Sequence, residues 1–143
     1  MSRGKLTVGE VQSILESSVK DVLHNQPNIF GFTPDTHQTE WNLVHHLANE
    51  IHGRFPHFDC DVDLVKPNLR NKRPDIVIHR RGTHHHNFLA IEVKFNGTPR
   101  GLEQDIQKIK TYWISGDLHY VFGAVIDVRN DMTFSVFVVS GVE

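Results

Sequence analysis

The chain has 143 residues, enough for one domain with a sizeable hydrophobic core. With 38% hydrophobic and 22% charged residues and a formal net charge of −2, it lacks the overall basic excess of many nucleic-acid-binding proteins, although a local patch could still supply such contacts. Its single cysteine, Cys60, excludes an intrachain disulfide and a zinc site built on several cysteines. No apolar run approaches the roughly 18 residues that span a membrane, and the N-terminus lacks the apolar core of a signal peptide. We therefore expect a soluble, cytoplasmic protein without a membrane partner.

Two amphipathic helices are predicted in the first part of the chain. Apolar residues recur at helical spacing over 7–23 and again over 38–55, which gives each helix one apolar stripe. The stripe of the second helix is expected to bury Trp41, Val44, Leu47, Ala48 and Ile51.

Alternating patterns and short apolar runs predict five strands and a third helix. The strands are expected at 57–66, 74–80, 87–95, 118–128 and 133–139, and the helix at 101–113. The order is then α, α, β, β, β, α, β, β, and a sheet with helices packed on it is the natural α/β or α+β architecture for this order. With no repeat or clear linker in the sequence, we expect a single domain over 1–143.

Three charged residues belong to the two central, otherwise apolar segments: Asp75 lies at the head of the first, and Glu92 and Lys94 lie at the end of the second. Because strand side chains alternate between faces, Glu92 and Lys94 should share a face with Phe88 and Ala90, and an in-register neighbouring strand would aim Asp75 at the same place. A buried charge is costly unless it is paired or coordinates a metal, so these groups form either a structural ion cluster or a site. Carboxylates and backbone carbonyls are ligands of Mg²⁺, and a nearby lysine can hold a water or a phosphate oxygen. Metal and lysine together would stabilise the negative charge that develops when water attacks a phosphodiester.

A proline followed by Asp75 and then, after about one hairpin, Glu92-Val93-Lys94 resembles the signature of the PD-(D/E)XK nuclease superfamily, which has the restriction-endonuclease-like fold. The αβββαβ core of that family is similar to the order predicted for about 38–128, with the N-terminal helix and the last strand as additions. The resemblance implies a mixed central sheet flanked by helices. It implies that Asp75 and Glu92 are metal ligands, and that the Val93 carbonyl is a third. It also implies that Lys94 is catalytic, that the cofactor is Mg²⁺ or its substitute Mn²⁺, and that the protein is a DNA endonuclease.

The same resemblance points to residues on the flanking helices. Many members carry a glutamate on the helix before the three strands, and Glu40 fits because it lies on the inner stripe of the second helix. This makes Glu40 a candidate metal ligand and catalytic residue, although the helix dipole alone also favours a glutamate in a first turn. Some members place a polar residue on the helix after the lysine, and Gln104, Gln107 and Lys108 are the candidates for that position.

Phosphate contacts are expected from basic and polar residues near these strands. Lys72 and Arg73 lie in the turn before the second strand and are candidates together with Gln107 and Lys108; such contacts set affinity without reading sequence. The histidine run 84–86 falls in a hairpin loop. Three adjacent histidines do not give the separated ligands that a defined metal geometry needs, so we expect a polar loop or a phosphate contact there.

Non-catalytic interpretations remain open at this point. Asp75 could cap a turn, and Glu92 with Lys94 could form a cross-strand ion pair on a wet face. The alternatives to a nuclease are a catalytically silent domain of the same fold, kept as a nucleic-acid-binding or assembly module, and a protein-interaction domain with a structural ion cluster. If the protein cuts both strands of a duplex at once, one small domain with one site would need to form a homodimer.

Overall fold

The computed structural model describes residues 6–30, 37–62, 74–82, 87–116 and 118–141. The helices are α1 (Val8–Asn25), α2 (His37–Arg54) and α3 (Pro99–Lys108), and α3 continues directly into a π-helical segment, Ile109–Ile114. The strands are β1 (Asp59–Val62), β2 (Ile76–His79), β3 (Leu89–Phe95), β4 (Phe122–Val128) and β5 (Phe134–Ser140). The predicted element order and the α/β class are confirmed.

The five strands form one open sheet in the order β1-β2-β3-β4-β5. Neighbouring strands are antiparallel except β3 and β4, which run parallel and place Lys94 beside Asp127. Parallel neighbours need a crossover connection, and α3 with the π-helical segment provides it. The prediction of a mixed central sheet flanked by helices is therefore confirmed.

Two helix starts follow directly from local sequence. Thr7 and Glu10 form a reciprocal capping box at the start of α1, in which each side chain accepts a hydrogen bond from the backbone N–H of the other residue. The Thr98 hydroxyl accepts a hydrogen bond from the Gly101 N–H, and Pro99 occupies the first turn, where its missing N–H costs nothing. This cap explains why α3 begins at Pro99, ahead of the predicted start.

The sheet separates two hydrophobic clusters, so helices cover both of its faces. The larger cluster lies under α1 and α2, and the smaller one lies under α3 and the π-helical segment. The central strands alternate between them, with Ile76 and Ile91 in the larger cluster and Val77 and Ala90 in the smaller one. None of the described helices combines the length and the apolar character needed to cross a membrane.

The buried face of α2 differs from the predicted stripe. Leu43, Leu47 and Ile51 are fully buried, whereas Trp41 is 70% exposed. The three buried residues follow one another at i, i+4 spacing and form a single line along the helix, and Trp41 lies off that line. The expectation that Trp41 is buried is therefore wrong, and its indole faces solvent.

The π-helical segment lies unusually close to the sheet at Gly123. A Cβ added at Gly123 would overlap with Cγ2 of Ile109, so the approach depends on glycine at this position. Gly123 is in register with Ala90 on β3, and the two small residues make room for the Ile109 side chain. The chain then turns back, because the Tyr120 N–H donates to the Trp113 carbonyl at 2.8 Å. Because of this turn, β4 begins at Phe122 and not at residue 118 as predicted.

Candidate active site

Asp75 immediately precedes β2 and is tied to β3 through two hydrogen bonds. Its backbone N–H donates to the Ile91 carbonyl at 3.0 Å, and its Oδ2 accepts the Val93 N–H at 2.7 Å. These two partners lie on either side of Glu92 in the sequence. The carboxylate of Asp75 is thus bound to the backbone of the strand that carries the other predicted residues.

Glu92 lies on the face of the sheet that α3 covers, together with Ala90. Only 7% of Glu92 is exposed to solvent. Phe88 does not share this face as expected: it precedes the first residue of β3, outside the regular alternation, and it packs against Phe55 and Phe58 in the larger cluster. Glu92 is therefore an acidic residue in an otherwise buried strand, with α3 above it.

The protonation of Glu92 reflects this position. The pKa of Glu92 is raised to about 8, first by burial and then by the negative charges of Asp75 and Asp105, while the positive charges of Lys108 and Lys94 act in the opposite direction. Burial and like charge thus outweigh the two cations. Without a bound cation, Glu92 is mostly protonated at pH 7, and a divalent ion beside Asp75 would favour its charged form.

Lys94 is held by a buried carboxylate on α3. Its Nζ lies 3.2 Å from Oδ2 of Asp105, while Lys108 Nζ lies 3.5 Å from the other oxygen, Oδ1. Burial by itself would lower the pKa of Lys94, but the carboxylates of Asp105, Glu92 and Glu40 outweigh burial and the pKa is raised. Lys94 is consequently a fixed cation with 37% of its side chain exposed to solvent.

Asp105 was not among the residues predicted from the sequence. It is 4% exposed. It lies three residues after Leu102 and four before Ile109, and both of these pack in the smaller cluster. A carboxylate in the middle of an apolar helical stripe was the available signal. Such a residue must find a partner, because an unpaired buried charge is costly.

Glu40 lies in the first turn of α2, on the other side of the sheet, and is half-buried. It comes close enough to Lys94 for its charge to favour the ammonium form of that lysine. The structure therefore brings Glu40 to the same end of β3 as the other residues. Its role as a metal ligand remains a prediction.

The other residues predicted to contact the substrate differ in whether they reach this site. Lys108 points at Asp105 and joins the cluster, whereas Gln107 lies on the exposed side of α3 and donates to Glu103 at 3.1 Å. Gln104 is also exposed. Of the three polar candidates on this helix, Lys108 is the one that reaches the site. Lys72, Arg73 and the histidine run 84–86 lie outside the described residues.

A second buried carboxylate, Asp127 on β4, supports the connection between β3 and α3. Its Oδ1 accepts the Gly97 N–H at 2.8 Å, and its Oδ2 pairs with Arg129 Nη1 at 3.1 Å. The same Arg129 nitrogen donates to the Gly97 carbonyl at 3.0 Å. Asp127 and Arg129 thus fix the turn that follows Lys94 and leads to Asp105.

The donor set can be compared with the needs of a magnesium ion. Within the described residues, no three His, Cys, Asp or Glu side chains come together as a complete metal centre. Mg²⁺ commonly takes only one or two protein carboxylates and keeps several waters. Asp75 and Glu92 supply two carboxylates, and their mutual repulsion, which adds to burial in raising the pKa of Glu92, is what a bound cation would relieve. The residues present therefore fit a magnesium ion.

Comparisons of the chain with protein-family models, curated proteins and solved structures gave no match. The resemblance to PD-(D/E)XK nucleases stays a prediction based on Asp75, Glu92 and Lys94 and on the order of the elements.

Proposed function

We propose that this protein is a metal-dependent phosphodiesterase of the PD-(D/E)XK type, and specifically a DNA endonuclease of the cytoplasm. The observation that carries the proposal is the buried Glu92, which is tied to Asp75 through β3 and faces the cation of Lys94. Keeping the buried carboxyl of Glu92 beside the half-buried carboxylate of Asp75 costs stability. Such a cost is typical of a site that binds a cation or performs chemistry.

Asp75 and Glu92 would hold Mg²⁺, or Mn²⁺ in its place, together with the backbone carbonyl of Val93. The ion supplies a Lewis acid that activates water and offsets the charge of the scissile phosphate. The Val93 N–H donates to Oδ2 of Asp75 and so fixes the orientation of this carboxylate, including its other oxygen, Oδ1. Glu40 would complete the acidic side of the site or hold a water in it.

Lys94 would steady the negative charge that develops on the phosphate, or hold the attacking water. Its ammonium is positioned by Asp105, and that carboxylate is in turn shared with Lys108. Lys108 has 43% of its side chain exposed and would contact a neighbouring phosphate. A fixed cation next to the reacting group is more effective than a mobile one, because no reorganisation is needed during reaction.

The second candidate is a catalytically silent module of the same fold that binds nucleic acid. The observation that favours it is that the ammonium of Lys94 already has a buried counter-ion and that Asp75 already accepts a backbone hydrogen bond. Both residues would then maintain the fold. The two candidates differ in what happens when Lys94 is removed.

The experiment is a cleavage assay on duplex DNA, single-stranded DNA and RNA with Mg²⁺ or Mn²⁺. Wild-type protein should cleave one of these, and Lys94→Ala should reduce the rate by about 100-fold or more while the melting transition and nucleic-acid affinity persist. The matched control is Lys110→Ala, an exposed lysine of the π-helical segment. A collapsed melting transition in Lys94→Ala, with no metal-dependent cleavage in wild type, would favour the silent module.

Three further measurements test the metal site and the assembly. Calorimetry should show Mn²⁺ binding to wild type and none to the Asp75→Ala, Glu92→Ala double variant; equal binding by both would rule this site out.

Glu40→Gln should slow cleavage most at limiting Mg²⁺, whereas a residue that only stabilises α2 through the helix dipole would leave the rate unchanged. We also propose a homodimer for double-strand cutting, which sedimentation on duplex DNA would test.

A further inference from the structure

A cleft of about 360 Å³ lies where the end of α1 meets the first half of α2. One wall is the segment 25–29, which contains two asparagines and a glutamine, and the other wall is formed by Asn42 and His46 of α2. This volume lies within the range of small-molecule sites in proteins.

The cleft is polar but uncharged. Among the described residues, its lining contains no Asp, Glu, Lys or Arg, and the pKa of His46 is lowered by burial and by the neighbouring His45, so the His46 imidazole is neutral at pH 7. Within the described residues, the side-chain amides of Asn25, Asn28 and Asn42 make no hydrogen bond to another residue. Each amide therefore keeps one acceptor and two donor hydrogens available to a ligand.

The position of the cleft relates it to the candidate active site. Asn42 follows Glu40 by two residues on α2. The segment that forms the other wall continues to Phe30, whose ring stacks on Phe95 at a centroid distance of 5.0 Å. Phe95 directly follows Lys94, so both walls of the cleft are joined to elements that carry site residues.

The solvent-facing side of α2 also suits a negatively charged chain. Its exposed residues from Thr39 onward are Trp41, Asn42, His45, Asn49, His52 and Gly53. None of these exposed residues is a carboxylate, and the partly exposed Glu50 of the same helix is paired with Arg54. The fully exposed positions of α2 therefore place no like charge against a phosphodiester backbone. A strand that leaves the active site could therefore run over α2 into the cleft.

We propose that this cleft binds an unpaired nucleobase of the substrate strand, next to the nucleotide that is cleaved. The inference rests on the proposed nuclease function and adds to it a substrate class: DNA that is single-stranded, or has a splayed base, near the cut. A base edge presents donors and acceptors that asparagine and glutamine match, and the neutral imidazole of His46 offers a flat surface for stacking. The described residues of the lining include no Lys or Arg, which disfavours a phosphate as the occupant, because phosphate sites use these cations.

The test compares binding of a short single-stranded deoxyoligonucleotide with binding of an abasic chain of the same length, in EDTA so that cleavage cannot occur. Wild type should bind the chain with bases about tenfold more tightly, in line with the contribution of one stacked base. Asn42→Ala should lose most of that preference. Asn49→Ala is the matched control, since Asn49 lies on the same helix and hydrogen-bonds to His45 at 3.4 Å instead of lining the cleft.

The outcomes separate the two proposals. If Asn42→Ala removes base-dependent binding and no nucleic acid is cleaved, the result supports base binding in the cleft and refutes the nuclease function. Cleavage combined with equal binding of both chains would support the nuclease function and refute base binding in the cleft. A preference for the chain with bases that survives in Asn42→Ala would also refute base binding in the cleft. Asn28→Ala, on the opposite wall, provides the same test if Asn42→Ala does not fold.

Discussion

Replacing Glu92 with glutamine should change how the stability of the protein depends on pH. In the folded protein the pKa of Glu92 is raised to about 8 from an ordinary value of 4.5, first by burial and then by Asp75. The folded state thus holds this proton more tightly than the unfolded state. The stability contributed by the protonated carboxyl is fully present below pH 4.5, and it is lost as pH rises through about 8.

The size of this effect follows from the two pKa values. At 1.36 kcal/mol per pKa unit, a rise from 4.5 to about 8 corresponds to a loss of about 5 kcal/mol in the free energy of unfolding between low and high pH. The loss is complete only above pH 8. Half-way through this range the slope is about 1.4 kcal/mol per pH unit. Such a loss is a large share of the roughly 5–15 kcal/mol that stabilises a typical domain.

Urea unfolding in EDTA between pH 5 and 8.5 measures the difference between wild type and Glu92→Gln. The two should be similarly stable at pH 5, and the variant should become progressively more stable than wild type as pH rises, because glutamine cannot ionise. Mg²⁺ added at pH 8 should stabilise wild type and leave the variant unchanged. Glu103→Gln, at an exposed position on α3, serves as the control. Parallel curves for wild type and Glu92→Gln would refute the assignment of Glu92 as a buried, proton-binding carboxyl.

Two further substitutions test how α3 is held over the sheet. Asp105→Asn removes the carboxylate that Lys94 and Lys108 share. It should lower the free energy of unfolding by about 1–2 kcal/mol, less than the 3–5 kcal/mol of a fully buried pair because more than a third of each lysine side chain is exposed. The same variant should lower the pKa of the Lys94 ammonium, measurable by NMR, and an unchanged pKa would contradict the ion pair. Gly123→Ala should destabilise the protein by about 1–3 kcal/mol in urea unfolding, because the added methyl overlaps with Ile109. Gly53→Ala, where a Cβ meets open space, should cost nothing, and equal effects at both glycines would contradict the close packing.

The regular elements could be predicted from periodicity because their signals are local. The alternation in β2 and β3 and the 3.6-residue repeat of α1 each lie within one short stretch of sequence. The π-helical segment could not be predicted in this way. Its close packing on the sheet involves Gly123, a residue of β4 that is distant in sequence and whose missing Cβ leaves room for Ile109. The exposure of Trp41 was missed for a related reason, since the contact with the sheet decides which side of an amphipathic helix is buried.

The same distinction applies to the candidate site. Asp75, Glu92 and Lys94 stand out because each is a charged residue next to or within an apolar run, so their sequence neighbours reveal them. Asp127 does not stand out, because its importance comes from Gly97 and Arg129, which are distant from one another in sequence. Predicting such a residue would require knowing that β3 and β4 are parallel neighbours.

Asp105 changes the charge balance that the sequence suggested. The two lysines, Lys94 and Lys108, balance the carboxylates of Asp75 and Asp105, so these four residues sum to zero. Glu40, which approaches Lys94 from the other side of the sheet, leaves the group with one negative charge while Glu92 stays protonated. Ionisation of Glu92 adds a second uncompensated negative charge, and this one is in a buried place. A proton and a divalent cation therefore compensate the same charge, and the metal-free and metal-bound proteins should differ by a proton on Glu92. The resting protein can thus tolerate a carboxylate pair that would otherwise destabilise it, because the proton takes the place of the ion.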